Sequence, residues 1–367
     1  MAPSPTRPLR VVQFSTGHVG EHSLRHIIES PRLELVGVHA SNPAKLGKDA
    51  ADLCGLDTPT GVVATDDRDA LVALGADCVL YTGQGETRPR EVLDDLTAFL
   101  AAGTNVVSTA LIWLIHPAHG EAWLREPLEA ACREGGATML VTGIDPGFSG
   151  DVLPLAAMRL SQRVDKVTVQ EIFDYATYDD AEFTGVTFGF GQPADAEPPV
   201  LFWPGVLAST WGGLVHGLAD ALGVEVEELR ESHDTWVTPE RIDCAMMTVE
   251  PGHVAAIRFG VEGLVGGEPV IVMEHVNRLT EAAAPDWPYP PAGHPGVHRV
   301  LVEGRPGIEV NVHLEPGGDT NLGGIVATAA TAVNAVPAVC AAAPGLIGQQ
   351  DLPLAQAQGL MRGPMRG

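Results

Sequence analysis

The chain has 367 residues, with 47 acidic against 22 basic, a formal charge of −25 and a mean hydropathy of +0.10. That length exceeds one ordinary core and predicts two domains, while the negative field disfavours nucleic acid and anionic membrane surfaces as partners. The opening segment lacks the apolar stretch of a signal peptide and no later run reads as long enough to span a bilayer, so a cytoplasmic location is expected.

Residues 9–14 form an apolar run that stops at small residues and glycine in V-V-Q-F-S-T-G-H-V-G, after which Val19, Leu24, Ile27 and Ile28 fall on one helical face. This predicts strand, tight turn and helix. Gly17 and Gly20 take the second and third glycine positions of G-x-G-x-x-G, and Ser15 stands in the first, so the match is incomplete. Ser15, Thr16, Gly17, His18, Val19 and Gly20 are the candidates for holding a dinucleotide pyrophosphate at the helix N-terminus. The next strand, 33–39, ends without the Asp or Glu that would accept from a ribose 2′-hydroxyl. Ser41, Asn42 and a following lysine, Lys45 or Lys48, suit a 2′-phosphate instead, which favours NADP(H) and leaves NAD(H) possible.

Strands at 61–65, 77–81, 105–109 and 137–142 alternate with helices at 67–74, 90–102 and 121–133. That rhythm predicts a Rossmann-type, doubly wound parallel sheet covered on both faces. A ligand on such a sheet lies at the carboxyl ends of its strands, which adds Tyr81, Thr82, Gly83, Ser108 and Thr109 to the cofactor candidates.

The rhythm changes at G-I-D-P-G-F, residues 143–148. A helix at 150–161 precedes K-V-T-V-Q-E-I-F, 166–173, which alternates as a half-buried antiparallel strand does. Further strands read at 234–237, 246–249, 253–262, 269–276, 298–303 and 308–314, with one helix at 206–222. This predicts an α+β second domain with a mainly antiparallel sheet, and 174–204 and 282–295 as long loops. Residues 323–343 read as a buried helix, kinked or ended near Pro337, that returns to the first domain and offers Asn334 to the cofactor. The expected domains are 1–147 with the returning helix of about 320–345, then 148–319, and a tail at 346–367.

Three side chains are candidates for acid–base chemistry: His116 in L-I-H-P-A-H-G, Asp145 beside P-G-F, and Glu171 on the 166–173 strand. Asp151 reads equally as a cap of the helix after it. By alternation Glu171 shares a face with Val169 and Phe173 and is either aimed into a cleft or solvated at a sheet edge. The five cysteines show no C-x-x-C spacing, and the 13 histidines no H-E-x-x-H, so neither a disulfide framework nor a metal is expected.

The opening turn, the strand N-V-V-S-T, the turn G-I-D-P-G-F and the late run T-A-V-N-A-V-P-A-V followed by A-P-G-L and D-L-P together resemble the dihydrodipicolinate reductase-like proteins of actinobacteria. That group is similar to native amine dehydrogenases and 2,4-diaminopentanoate dehydrogenase. The resemblance covers nearly the whole chain and implies an NAD(P)H-dependent enzyme, a homodimer built on the second domain's sheet, and hydride exchange at an amine/imine or related carbonyl carbon. Amine dehydrogenases of the group carry a glutamate directly after S-T-C, where this chain has Leu111. Three readings follow: an NADP(H)-dependent oxidoreductase acting on a small, largely apolar substrate with a C=N or C=O group; an ammonia-dependent amine dehydrogenase whose acid has moved to Glu171 or Asp145; or a nucleotide-binding regulatory protein without catalysis.

Overall fold

Short apolar strands buried on both faces alternate with amphipathic helices through the N-terminal part of the chain, and that pattern builds a parallel sheet. The computed structural model describes residues 7–315, 318–354 and 359–361. In chain order, β1 (Leu9–Phe14), α1 (His18–Glu29), β2 (Leu33–His39), α2 (Ala50–Leu53), β3 (Ala64–Thr65), α3 (Arg68–Val72), β4 (Cys78–Tyr81), α4 (Pro89–Ala101), β5 (Asn105–Ser108), α5 (Ala122–Gly135) and β6 (Thr138–Val141) come first. Then follow α6 (Val152–Met158), β7 (Arg163–Asp174), α7 (Val186–Phe188), α8 (Val206–Leu222), β8 (Glu228–Val237), β9 (Ile242–Asp243) and β10 (Thr248–Val249). The chain ends through β11 (Val254–Val265), β12 (Glu268–Arg278), β13 (Gly296–Arg305), β14 (Ile308–Val312), α9 (Thr320–Ala341) and β15 (Gly345–Ile347). Two compact units result: Met1–Ile144 with Ile325–Gly367, and Asp145–Gly324.

The first unit holds a seven-stranded parallel sheet in the order β15-β6-β5-β4-β1-β2-β3, the doubly wound arrangement expected. Val11, Leu80, Val107 and Leu140 pack with Ala332, Val333, Ala335, Val336 and Val339 of α9 in one buried cluster. Removing such branched side chains from water, at ~25 cal/mol per Å² of apolar surface, is the main term favouring this unit.

Two expectations change here. The segment from 346 onward read as a tail, yet β15 lies parallel beside β6, and the Thr138 hydroxyl donates to the Ala343 carbonyl at 3.0 Å. Moreover, α9 is 22 residues long, runs through Pro337 without ending, and by length and composition is apolar enough to cross a membrane. The expectation that no run reaches that length is therefore corrected, and the helix spends part of its apolar surface in the core just described.

The second unit's sheet runs β14-β13-β7-β12-β11-β8. Its pairings are antiparallel except β7 with β12, which is parallel. The strand carrying Glu171 is thus in the sheet interior and not at an edge. Helix α8 lies on β8, β11 and β12, close enough that a Cβ on Gly263 would stand 2.5 Å from Val215 Cγ1. Residues 174–204 are not one open loop: they contain α7 and short helical turns at Ala181–Gly185 and Val200–Phe202.

Candidate active site

In the first unit the turn after β1 explains its own sequence. Ser15 has φ +83°, the left-handed region in which the first glycine of the dinucleotide motif normally sits. The buried Gln13 amide holds the turn, donating to the Ser15 carbonyl and to Thr82 Oγ1, both at 2.8 Å. Gly20 is required by packing, because a Cβ there would fall 2.4 Å from the Ser15 carbonyl oxygen. Gly17 is different: a Cβ on it meets nothing within 4 Å. It is the N-cap of α1 and provides no side-chain cap, so the helix presents its first N–H groups uncapped beside an exposed glycine. These are the features that a pyrophosphate needs.

The other cofactor candidates fall at the ends of parallel strands in the same unit. Thr16 is buried, His18 exposed and Val19 half-buried. Ser41 and Asn42 are exposed, and the Asn42 carboxamide oxygen accepts from Ala44 N at 2.9 Å, capping a short helical turn. Lys45 folds back so that its ammonium donates to the Thr16 carbonyl. Thr82 donates through Oγ1 to Phe14 O, and Gly83 packs on the Tyr81 ring. Tyr81 itself is fully buried, stacked on Phe14 with centroids 4.6 Å apart and donating to Asp95, so only its main chain faces the strand end. Ser108 is likewise buried, its hydroxyl exchanging hydrogen bonds with both main-chain groups of Ala110. Thr109 N donates to Tyr81 O at 3.0 Å, and Asn334 is half-buried on α9. His116 is half-buried and stacks on His119 with centroids 5.4 Å apart. Leu111 is fully buried with φ +57°, an unusual conformation for a bulky side chain.

The second unit gathers Asp145 and Glu171. Asp145 Oδ1 accepts from Trp211 Nε1 at 3.0 Å and lies 3.2 Å from His275 Nε2, while its Oδ2 accepts from the Ser149 hydroxyl at 2.8 Å. Glu171 Oε1 accepts from the Tyr175 hydroxyl at 2.9 Å and from Asn277 Nδ2 at 3.0 Å. His298, opposite Glu171 in the β13–β7 ladder, completes a trio: one ligand atom each from Asp145, Glu171 and His298 lies within 4.8 Å of the others. His275 Nδ1, Asn277 Oδ1 and, within the trio, His298 Nδ1 are buried without a hydrogen-bond partner among the described residues.

Burial alone pushes the Asp145 carboxyl up, but the charge and hydrogen bond of His275, with smaller help from His298 and Trp211, outweigh it and hold it at about 2. Burial works against a charged His275, and Asp145 reverses that and raises its pKa. For His298 desolvation outweighs the opposing pull of Glu171 and Asp145 and lowers its pKa. Asp151 does cap α6, its carboxylate accepting from Val152 N. Burial, with Asp145 nearby adding to it, pushes that carboxyl up to about 7.

His275, Asn277 and His298 escaped the reading of the sequence. The signal for the first two is a polar period of two inside an apolar strand, since His275 and Asn277 both lie on the face that Glu171 shares, whereas His298 stands alone between Gly296 and Val300 on its face of β13.

The chain is also similar to known proteins. Residues 210–363 match the model of the 2,4-diaminopentanoate dehydrogenase C-terminal domain. The amine dehydrogenase of Streptomyces virginiae is 41% identical over 353 residues, 96% of this chain and 98% of that one. The 2,4-diaminopentanoate dehydrogenase of Acetoanaerobium sticklandii is 25% identical over 95% and 94% of the two chains. Among solved structures, the amine dehydrogenase from Mycobacterium smegmatis shares the fold, with a TM-score of 0.75 at 18% identity over 96% of this chain and 98% of that one. The chain belongs to the amine dehydrogenase family typified by the Streptomyces virginiae protein, and is an NAD(P)-dependent oxidoreductase.

Proposed function

We propose that the protein transfers hydride between NADP(H) and the C=N or C=O carbon of a small, largely apolar substrate, acting as a cytoplasmic homodimer. The observation that carries the cofactor half is the turn after β1: serine in a glycine conformation, Gly20 pressed onto it, and Gly17 with no packing reason to be glycine. Lys45, drawn onto the Thr16 carbonyl, is the cation for a 2′-phosphate. The nicotinamide cofactor supplies the hydride chemistry when bound, and the chain's residues supply position and protons. Asp145 and Glu171 in the second unit and His116 in the first are the acid–base groups of this reading.

A second reading, ammonia-dependent amine dehydrogenation, draws on the Streptomyces virginiae relative and on the two carboxylates gathered in the second unit. Fluorescence titration with NADPH and NADH tests the cofactor half: NADPH binding at least tenfold tighter is expected, and no binding of either below ~1 mM sinks the reading. Steady-state assays with ketones, preformed imines and ketone plus ammonia then separate the two chemistries. Unchanged rates in both Glu171→Gln and Asp145→Asn would remove the proposed acids.

A further inference from the structure

Glu86 stands in the turn that leaves β4, and that turn is braced on two sides. On one side the Thr82 hydroxyl donates to Phe14 O and accepts from the Gln13 amide, which ties it to the turn after β1. On the other, Gly85 is pressed onto the turn after β5, where a Cβ on it would fall 2.9 Å from Leu111 N and 3.1 Å from Ala110 Cβ. The β5 turn is itself fixed by the Ser108 hydroxyl, bonded to both main-chain groups of Ala110, and by Leu111, buried in a left-handed conformation. Backbone strain of that kind gathers at functional sites.

Topology places the three turns together. In the order β15-β6-β5-β4-β1-β2-β3 the connections run from β1 to one side and from β4 to the other, so the crevice for a ligand opens outside the carboxyl ends of β1 and β4. Residues 82–88 and 109–116, at that edge, carry one acidic side chain, Glu86. It is half-buried, and its Oε2 accepts from Gly85 N at 3.0 Å, within its own turn. No cation pairs with it among the described residues: burial raises its pKa, and only the main-chain N–H groups of Gly85 and Glu86 pull the other way. A carboxyl raised toward the working pH and set beside a ligand crevice is suited to proton transfer.

We propose that Glu86 is a further catalytic residue, whose carboxyl gives a proton to the nitrogen or oxygen of the substrate's C=N or C=O group as hydride reaches the carbon. The carbon accepts the hydride of the reduced cofactor, which is thereby oxidised, and the π pair of the double bond moves to the heteroatom. That atom takes the Glu86 proton, leaving a carboxylate that solvent reprotonates; in the reverse direction the carboxylate takes the proton back. The assignment rests on the function proposed above and adds to Asp145, Glu171 and His116 a group beside the turn after β1.

Steady-state rates of the full chain from pH 5 to 9 test it, with whichever of ketone, preformed imine or ketone plus ammonia the wild type turns over. Glu86→Gln should lower kcat at least ~100-fold, the usual effect of losing a general acid, and remove one limb of the pH profile. Glu86→Asp should restore part of the rate, and the Kd for NADPH should stay within threefold of wild type in both. Because a variant could fold poorly, the ¹³Cδ resonance of wild-type Glu86 supplies a second readout: it should titrate above ~4.3, the ordinary glutamate value, and move when NADPH is added. A kcat in Glu86→Gln within threefold of wild type overturns the proposal, and so does titration of Glu86 at the ordinary value. Loss of NADPH affinity as large as the loss of kcat also overturns it, since Glu86 would then merely support the turn. A full rate in Glu86→Gln sinks this assignment alone, whereas a wild type that binds neither NADPH nor NADH sinks the proposed function and the assignment with it.

Discussion

Asp145 Oδ1 lies 3.2 Å from His275 Nε2, with the two side chains only 4% and 6% exposed. Breaking such a buried pair from one side strands the other charge, which typically costs ~3–5 kcal/mol. Asp145→Asn should therefore lower stability by about that amount in urea unfolding near pH 6. The pH window follows from the two directions. The Asp145 contribution is present above the ordinary carboxyl pKa and is lost as pH falls toward 2; the His275 contribution is complete below the ordinary imidazole value and is lost as pH rises through its raised pKa. The variant's deficit is thus largest from about pH 4 to 6.5. A deficit that does not vary from pH 2 to 9 would show that the pair is not ionic.

Asp151 predicts the opposite sign. Its carboxyl is buried and raised to about 7, with Oδ2 unpartnered among the described residues. A raised carboxyl stabilises the fold below its unfolded pKa, and that advantage is lost as pH climbs through the folded value. Asp151→Asn keeps an oxygen to cap Val152 N and removes the charge. It should gain on the order of 1–3 kcal/mol at pH 8 and little at pH 4, read as the difference between denaturation midpoints at the two pH values. An equal effect at both would rule out titration of this carboxyl as the cause.

The two glycines of the first turn separate packing from ligand space. Gly20→Ala drives a Cβ to 2.4 Å from Ser15 O, so the turn must open; a loss of ~1–3 kcal/mol is expected, with loss of NADPH binding. Gly17→Ala places its methyl in open space, and as an N-cap exchange should cost less than ~1 kcal/mol. Its NADPH affinity should still fall at least tenfold. Thermal unfolding beside NADPH titration distinguishes the two, and wild-type affinity in Gly17→Ala would show that no phosphate approaches there.

How much of this was legible in the sequence depends on the range over which each feature is determined. The strand–turn–helix of Leu9 to Glu29 is a local matter, set by an apolar run and two glycines, and the structure matches it almost residue for residue. β15 is three residues long and carries no alternation to detect. The second unit's cluster joins positions 130 and 106 residues apart, His275 with Asp145 and Asn277 with Glu171. Such meetings depend on strand register, and the pairing of β7 with β12 that sets it is the one parallel pairing in a sheet that is, as expected, mainly antiparallel. The carboxylates could be named from their neighbours in the chain, while their histidine partners required the sheet.

On the proposed reading, Lys45 would carry the choice between the two nicotinamide cofactors. Its ammonium donates to the Thr16 carbonyl, which brings a positive charge to the turn that would hold the pyrophosphate, while no acidic residue follows β2 before Asp49. A point charge of this kind attracts a 2′-phosphate, whose extra charge NADH lacks, so removing it should discriminate between the cofactors and not weaken both alike. Lys45→Ala is expected to raise the Kd for NADPH about tenfold, roughly 1.4 kcal/mol, and that for NADH by less than threefold. Because the lysine is only half-buried, the difference should shrink as ionic strength rises and the screening length contracts from ~10 Å at 0.1 M to ~3 Å at 1 M. Titrations of both cofactors at the two salt concentrations check this, and a variant that loses NADPH and NADH affinity equally would mean that Lys45 supports the turn itself and reads no phosphate.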